Sequence, residues 1–189
     1  MQLALGNFSS FTLLWALATF GGFLLSLLLI EIGEKPDIGL VESAVGGLAV
    51  ALPQSFLLKQ PVFRIKWVFS SLLGWMIVAA TGIGAIGWVV PTTSILALRI
   101  LSGLIYGTIS GLTIGIAQWL VIPQSVPLAW RWIFVSSLSW AIAVPIGSTV
   151  GIVLRHFTQL FLGEVIGLAI TWLVVAILTG IYADKLRSG

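Results

Sequence analysis

The chain has 189 residues, of which 59% are hydrophobic and 8% charged, and its mean hydropathy is +1.15. Soluble domains carry charge on about a quarter of their residues, and the polar turns that would break a parallel-sheet protein into short strands are missing here, so lipid is the expected solvent. The formal net charge of +3 comes without a basic–aromatic surface and without cysteine, which argues against a nucleic-acid partner, disulfides and thiolate metal sites.

Six apolar stretches are long enough to cross roughly 30 Å of hydrocarbon, at 10–30, 39–58, 67–90, 95–122, 132–153 and 160–183. The expected fold is all-α, a single polytopic membrane domain over residues 1–189 with six transmembrane helices. Before the first stretch, Met1–Ser9 carries no Lys or Arg, so the segment reads as a retained helix rather than a secretory signal. An acidic connection from Glu31 to Asp37 follows.

The second stretch carries Gly39, Ser43, Gly47, Ala51 and Gln54, and the fourth repeats the pattern as Gly103, Gly107, Gly111, Gly115 and Gln118. At 100° per residue each set falls within about 120° of arc. Such seams let backbones approach closely, and the glutamines can donate and accept across helices. These positions are therefore predicted to serve helix packing or lateral recognition. Pro53 and Pro145 each remove a backbone donor and are expected to distort the second and fifth spans.

Lys66, Trp67, Ser71, Trp75 and Gly82, at the start of and within the third stretch, align with Arg131, Trp132, Ser136, Trp140 and Gly147 at the fifth. Residues 39–90 and 103–153 thus read as two parallel helical-hairpin repeats. Gly163, Gly167 and Thr171, followed by Trp15 and Gly22, suggest a third copy in permuted order, 160–183 plus 10–30, and hence approximate threefold symmetry. Trp88, Trp119, Trp130 and Trp132 lie at span ends and are expected to anchor the chain at the membrane–water boundary.

Lys59, Arg64, Lys66, Arg131, Lys185 and Arg187 fall on one side of the predicted topology, against Lys35, Arg99 and Arg155 on the other. That bias places both termini in the cytoplasm. On the opposite side Glu42, Arg99, Arg155 and Glu164 form a candidate outer polar site, with Glu42–Arg99 and Glu164–Arg155 as compensating pairs. His156, the single histidine, reads as an interfacial cap. No metal box, phosphate loop or catalytic constellation is present, and no enzymatic activity is expected.

The segment Gly111-Leu-Thr-Ile-Gly-Ile-Ala-Gln-Trp-Leu-Val-Ile122 resembles the Gly-rich, Gln-Trp-Leu-Val segments of small multi-pass proteins of unknown function found particularly in cyanobacteria. Residues 39–59 depart from that form, with Pro53-Gln54-Ser55-Phe56 in place of Ala-Gln-Trp-Leu. The resemblance implies a bacterial plasma or thylakoid membrane and supplies no catalytic residues. The expected role is a non-enzymatic accessory or scaffolding subunit that contacts membrane lipids and other integral membrane subunits, with chlorophyll, carotenoid or structural lipid as candidate cofactors. In size and span count the chain also resembles the substrate-capture components of vitamin transporters, so a small-solute-binding component is the alternative.

Overall fold

A computed structural model describes residues 9–34, 38–82, 86–123 and 125–184. Lys35, Lys185 and Arg187, which entered the charge comparison, and Asp37 of the acidic connection lie outside the described residues. The fold is all-α, with helices α1 (Ser10–Ser26), α2 (Leu40–Phe56), α3 (Pro61–Ala80), α4 (Leu96–Trp119), α5 (Arg131–Thr158) and α6 (Leu162–Ala183). Four of them, α3 to α6, are long and apolar enough to cross a membrane, which gives the chain multi-pass membrane character. Helices α1 and α2 have 17 residues each.

Local sequence sets the helix ends. Ser9 caps α1 by accepting a hydrogen bond from the Thr12 amide, and Pro61 occupies the first turn of α3, where its missing N–H costs nothing. Helix α3 ends at Ala80, ten residues short of the predicted boundary, because Gly82 adopts a left-handed conformation (φ 68°) just beyond it. Both Pro53 and Pro145 stay within continuous helices.

Each helix packs on its neighbours in chain order and α1 closes against α6, so the six form a ring; α4 and α5 pack most extensively, α3 and α4 least. The outward faces are apolar, with Leu17, Phe69 and Leu138 all more than 60% exposed. Water would tolerate such a belt poorly. Lipid solvates it.

Glycine decides where the ring is tight. A Cβ on Gly107 would lie 2.6 Å from the Trp140 carbonyl oxygen, one on Gly111 2.7 Å from the Ser137 Cα, and one on Gly115 3.0 Å from the Ile133 Cα. Gly103 abuts Val144 and Pro145 on the same helix. The seam of α4 is thus covered by α5 along its whole length. Gly47 faces the Trp75 ring, and Ala51 is buried beside it in the ring interior. Gly39 departs from the expectation: it is an exposed N-cap, and its nearest neighbour is Glu42 of its own helix.

The third set of small residues also behaves differently from the sequence match. Gly163 and Gly167 face the backbone of α5, the preceding helix, whereas Gly103–Gly115 face the following one. In α6 it is Gly180 that faces the next helix of the ring, against Thr12 and Trp15 of α1. Gly82, matched to Gly147, meets nothing within 4 Å, while Gly147 is wedged against Gly167 and Thr171.

Two aromatic layers fill the ring interior. Trp15, Trp67 and Trp132 meet edge to face at 5.5–6.1 Å, and farther along the bundle Trp75, Trp140 and Trp172 meet at 5.0–5.8 Å. Trp15 therefore sits with Trp67 and Trp132, not with Trp75 and Trp140 as the Trp-x6-Gly match implied. Phe23 takes the latter place on α1, stacked on Trp172.

Candidate functional site

Two groups of polar residues lie inside the ring, and they differ in how completely they are satisfied. Between the aromatic layers, Gln54 accepts a hydrogen bond from the Trp67 indole (3.2 Å) and donates to the Thr19 hydroxyl (2.8 Å). Gln118 accepts from Trp132 (2.8 Å) and donates to Ser71 (2.9 Å). Trp15 donates to Thr179, whose hydroxyl in turn donates to the Val175 carbonyl. Each amide ties two other helices to its own. The void beside them measures about 30 Å³, room for a water molecule rather than a solute.

The opposite end is built differently. Residues 86–95 double back after α3 and cover the mouth of the ring as a strap. Ile86, Trp88 and Val90 are buried, and the Trp88 indole donates to Ser26 at 2.7 Å while packing on Trp75 and Trp172. Gly46 and Gly87 leave the space for the Trp88 and Trp172 rings, and Trp172 donates to the Gly87 carbonyl. Trp88 and Trp132 are thus core residues rather than boundary anchors. Trp119 and Trp130 remain partly exposed near helix ends, with Arg131 over the Trp130 ring.

Arg99 pins the strap. Its Nε donates to the Thr93 carbonyl (2.6 Å), Nη2 to the Pro91 carbonyl (3.0 Å) and Nη1 to Oε2 of Glu164 (2.8 Å), and both side chains of this ion pair are about 97% buried. The expected Glu42–Arg99 pair does not form. Helix α3 separates α2 from α4 in the ring, and Glu42 stands exposed in the first turn of α2. Arg155 hydrogen-bonds Glu34 at the surface and lies 3.8 Å from Oε1 of Glu164, so the expected Glu164–Arg155 pairing is the weaker of two contacts. His156 is exposed in the last turn of α5.

Beneath the strap lies a cavity of about 290 Å³ between α4, α5 and α6. Its wall is mostly apolar, from Ile86, Val89, Val144 and Leu168, with Ser102, Tyr106, Ser148, Thr171 and Glu164 as polar points. Gly103, Gly147 and Gly167 also line it, at points where their helices meet at close range. Oε1 of Glu164 is buried without a hydrogen-bond partner among the described residues. The hydroxyls of Ser43 and Ser110 are also buried without a hydrogen-bond partner among the described residues, but a helical serine can rotate to the backbone carbonyl one turn earlier. A carboxylate oxygen only accepts, so it needs a donor from elsewhere.

Among the described residues no three His, Asp or Glu side chains converge as a metal site. Of the residues expected to mark function, Glu164 lines the cavity and pairs with Arg99, and Arg155 lies 3.8 Å from Glu164. Gln54 and Gln118 lie apart in the closed layer. Sequence reasoning missed the strap and Ser148, although Gly82 before the strap and Pro91 within it were a readable sign that the helix stops early. Comparison with protein-family models, with curated proteins and with solved structures returns no match.

Proposed function

We propose that this chain is a membrane-embedded binding component for a small, largely apolar molecule that carries a hydrogen-bond donor, held in the cavity under the strap. The observation that carries this reading is the buried Oε1 of Glu164 beside that cavity, which accepts no hydrogen bond among the described residues and has only the Arg155 guanidinium, at 3.8 Å, near it. Leaving such an atom unpaired costs about 1–3 kcal/mol, and a donor on the ligand removes the cost. A volume near 290 Å³ suits a small solute. The surrounding charges, Arg99 and Arg155 against Glu164 and Glu34, balance, so a neutral or zwitterionic molecule fits better than a strong anion.

An accessory or scaffolding role through the glycine seams is the competing reading. It loses support because the seams of α4 and α6 are covered by α5. Chlorophyll and carotenoid are much larger than the cavity, and structural lipid is a matter for the outer faces. The bound molecule makes no demand for catalysis, and the proposed role is non-enzymatic.

The reading includes six crossings. At 1.5 Å per residue, 17 residues of α1 or α2 give about 26 Å, at the short end for a spanning helix. Approximate threefold symmetry is supported by the recurrence of one bonding scheme, in which an indole donates to a side chain on the preceding helix of the ring, at Trp67–Gln54, Trp132–Gln118 and Trp15–Thr179. The end bearing Lys59, Arg64, Lys66 and Arg131 is assigned to the cytoplasm.

Thermal unfolding in mild detergent against a panel of small amphipathic amines, amides and alcohols tests the binding role. A ligand at 100 times its Kd adds about 2.7 kcal/mol, a clear rise in midpoint. Ser102→Phe, which fills the cavity from α4, should abolish that rise. If no compound discriminates between the two proteins and a stoichiometric membrane protein copurifies instead, the scaffolding reading replaces this one.

A further inference from the structure

An apolar groove of about 530 Å³ lies on the outer surface of the ring between α3 and α4. These are the neighbours that pack least extensively; they come closest where Gly74 faces Ile114 and Ala117. On α3 the groove is walled by Ile65, Phe69 and Leu73, each more than half exposed and four residues apart. Ile116 and Leu120 form the facing wall on α4. Ser70 and Thr113 also line it, but their hydroxyls already donate to the carbonyls of Trp67 and Ile109. The groove therefore offers a hydrocarbon chain an apolar bed that asks for no hydrogen bonds. From Ile65 to Ile77 it runs for about 18 Å along α3.

At one end of this bed stands Lys66, exposed and part of the lining. The same end of the bundle carries Lys59, Arg64 and Arg131, with Asp184 the single carboxylate there among the described residues. The other cations are differently placed: Arg64 donates to the Leu58 carbonyl, and Arg131 lies over the Trp130 ring. From the apolar length and the ammonium at its mouth, we propose that the α3–α4 groove is a specific site for an anionic phospholipid of the basic-end leaflet, with one acyl chain between Phe69 and Ile116 and the phosphate on Lys66. A zwitterionic lipid would fill the groove equally well but would forfeit the charge match.

The test is native mass spectrometry of the washed, detergent-purified protein after incubation with equal amounts of phosphatidylglycerol and phosphatidylcholine of matched chains. The wild type should retain phosphatidylglycerol preferentially. Lys66→Gln should reduce that preference about fivefold, the contribution of one basic side chain near an anionic surface, whereas Lys66→Arg should keep it. Lys59→Gln removes the same charge from the same end outside the groove and should change little. Ile116→Trp should reduce retention of both lipids, with its thermal midpoint confirming that the fold persists. Equal losses in Lys59→Gln and Lys66→Gln would reduce the effect to diffuse surface charge and overturn the site. Undiminished retention by Ile116→Trp would overturn the groove.

Discussion

The two polar regions inside the ring use similar materials to opposite ends. Around Gln54 and Gln118 each amide meets an indole and a hydroxyl, the adjacent void is about 30 Å³, and tryptophans close the axis above and below. Under the strap, a buried carboxylate has one oxygen hydrogen-bonded and one that accepts no hydrogen bond among the described residues, next to a space about ten times larger. Complete satisfaction is what a structural clamp requires, since any free polar group in a lipid-surrounded interior is costly. Incomplete satisfaction beside empty space is what a binding site requires. The contrast also bears on transport: a solute path along the ring axis would have to pass both aromatic layers, whereas the cavity lies off that axis between α4, α5 and α6.

Substitutions can break each side of this contrast separately. The largest effect is expected at Arg99. Arg99→Met should lower stability by about 3–5 kcal/mol, because it takes from buried Glu164 its hydrogen-bonded cation and leaves only the partly exposed Arg155, 3.8 Å from the other oxygen, while Arg99→Met with Glu164→Leu should recover much of the loss. Chemical denaturation in detergent measures both, and equal losses in the single and double variants would contradict the pairing. Gly111→Leu comes next, at about 3 kcal/mol or more, since the new side chain begins 2.7 Å from the Ser137 Cα and must push α4 off α5. A lipid-facing control, Ile105→Leu, should stay within about 0.5 kcal/mol, and similar thermal midpoints for the two would sink the packing account. Gln118→Leu should cost about 1–2 kcal/mol by leaving the Trp132 indole and Ser71 hydroxyl unpaired, without affecting ligand-induced stabilisation. Were the Gln118→Leu protein to lose ligand response instead, the closed layer would have to be counted as part of the site.

What the sequence made legible was mostly helical and local. A glycine at every fourth position of α4 encodes close packing on whichever helix comes next, so the seam could be read without knowing the partner. The glutamines were readable for a related reason, since a buried amide must clamp something. Partner choice was not readable. Arg99 and Glu164 meet across the α5 neighbourhood of a closed ring, and Glu42 was an equally good partner until the ring order put α3 between them. The strap was misread because Ile86, Trp88 and Val90 are as apolar as any membrane helix; they are buried in the bundle mouth rather than in lipid, and hydropathy does not distinguish the two. Trp15 was assigned to the wrong layer because one Trp-x6-Gly match cannot separate a shift of two helical turns.

The most direct test of the account is native mass spectrometry of the protein extracted with its surrounding membrane into an amphipathic polymer, comparing the wild type with Ser102→Phe. The account predicts one small molecule per wild-type chain, absent from Ser102→Phe, while any phospholipid at the α3–α4 groove is retained by both. A wild-type chain that carries no such molecule, or a Ser102→Phe chain that carries it equally, would contradict the assignment of the strap cavity as the binding site.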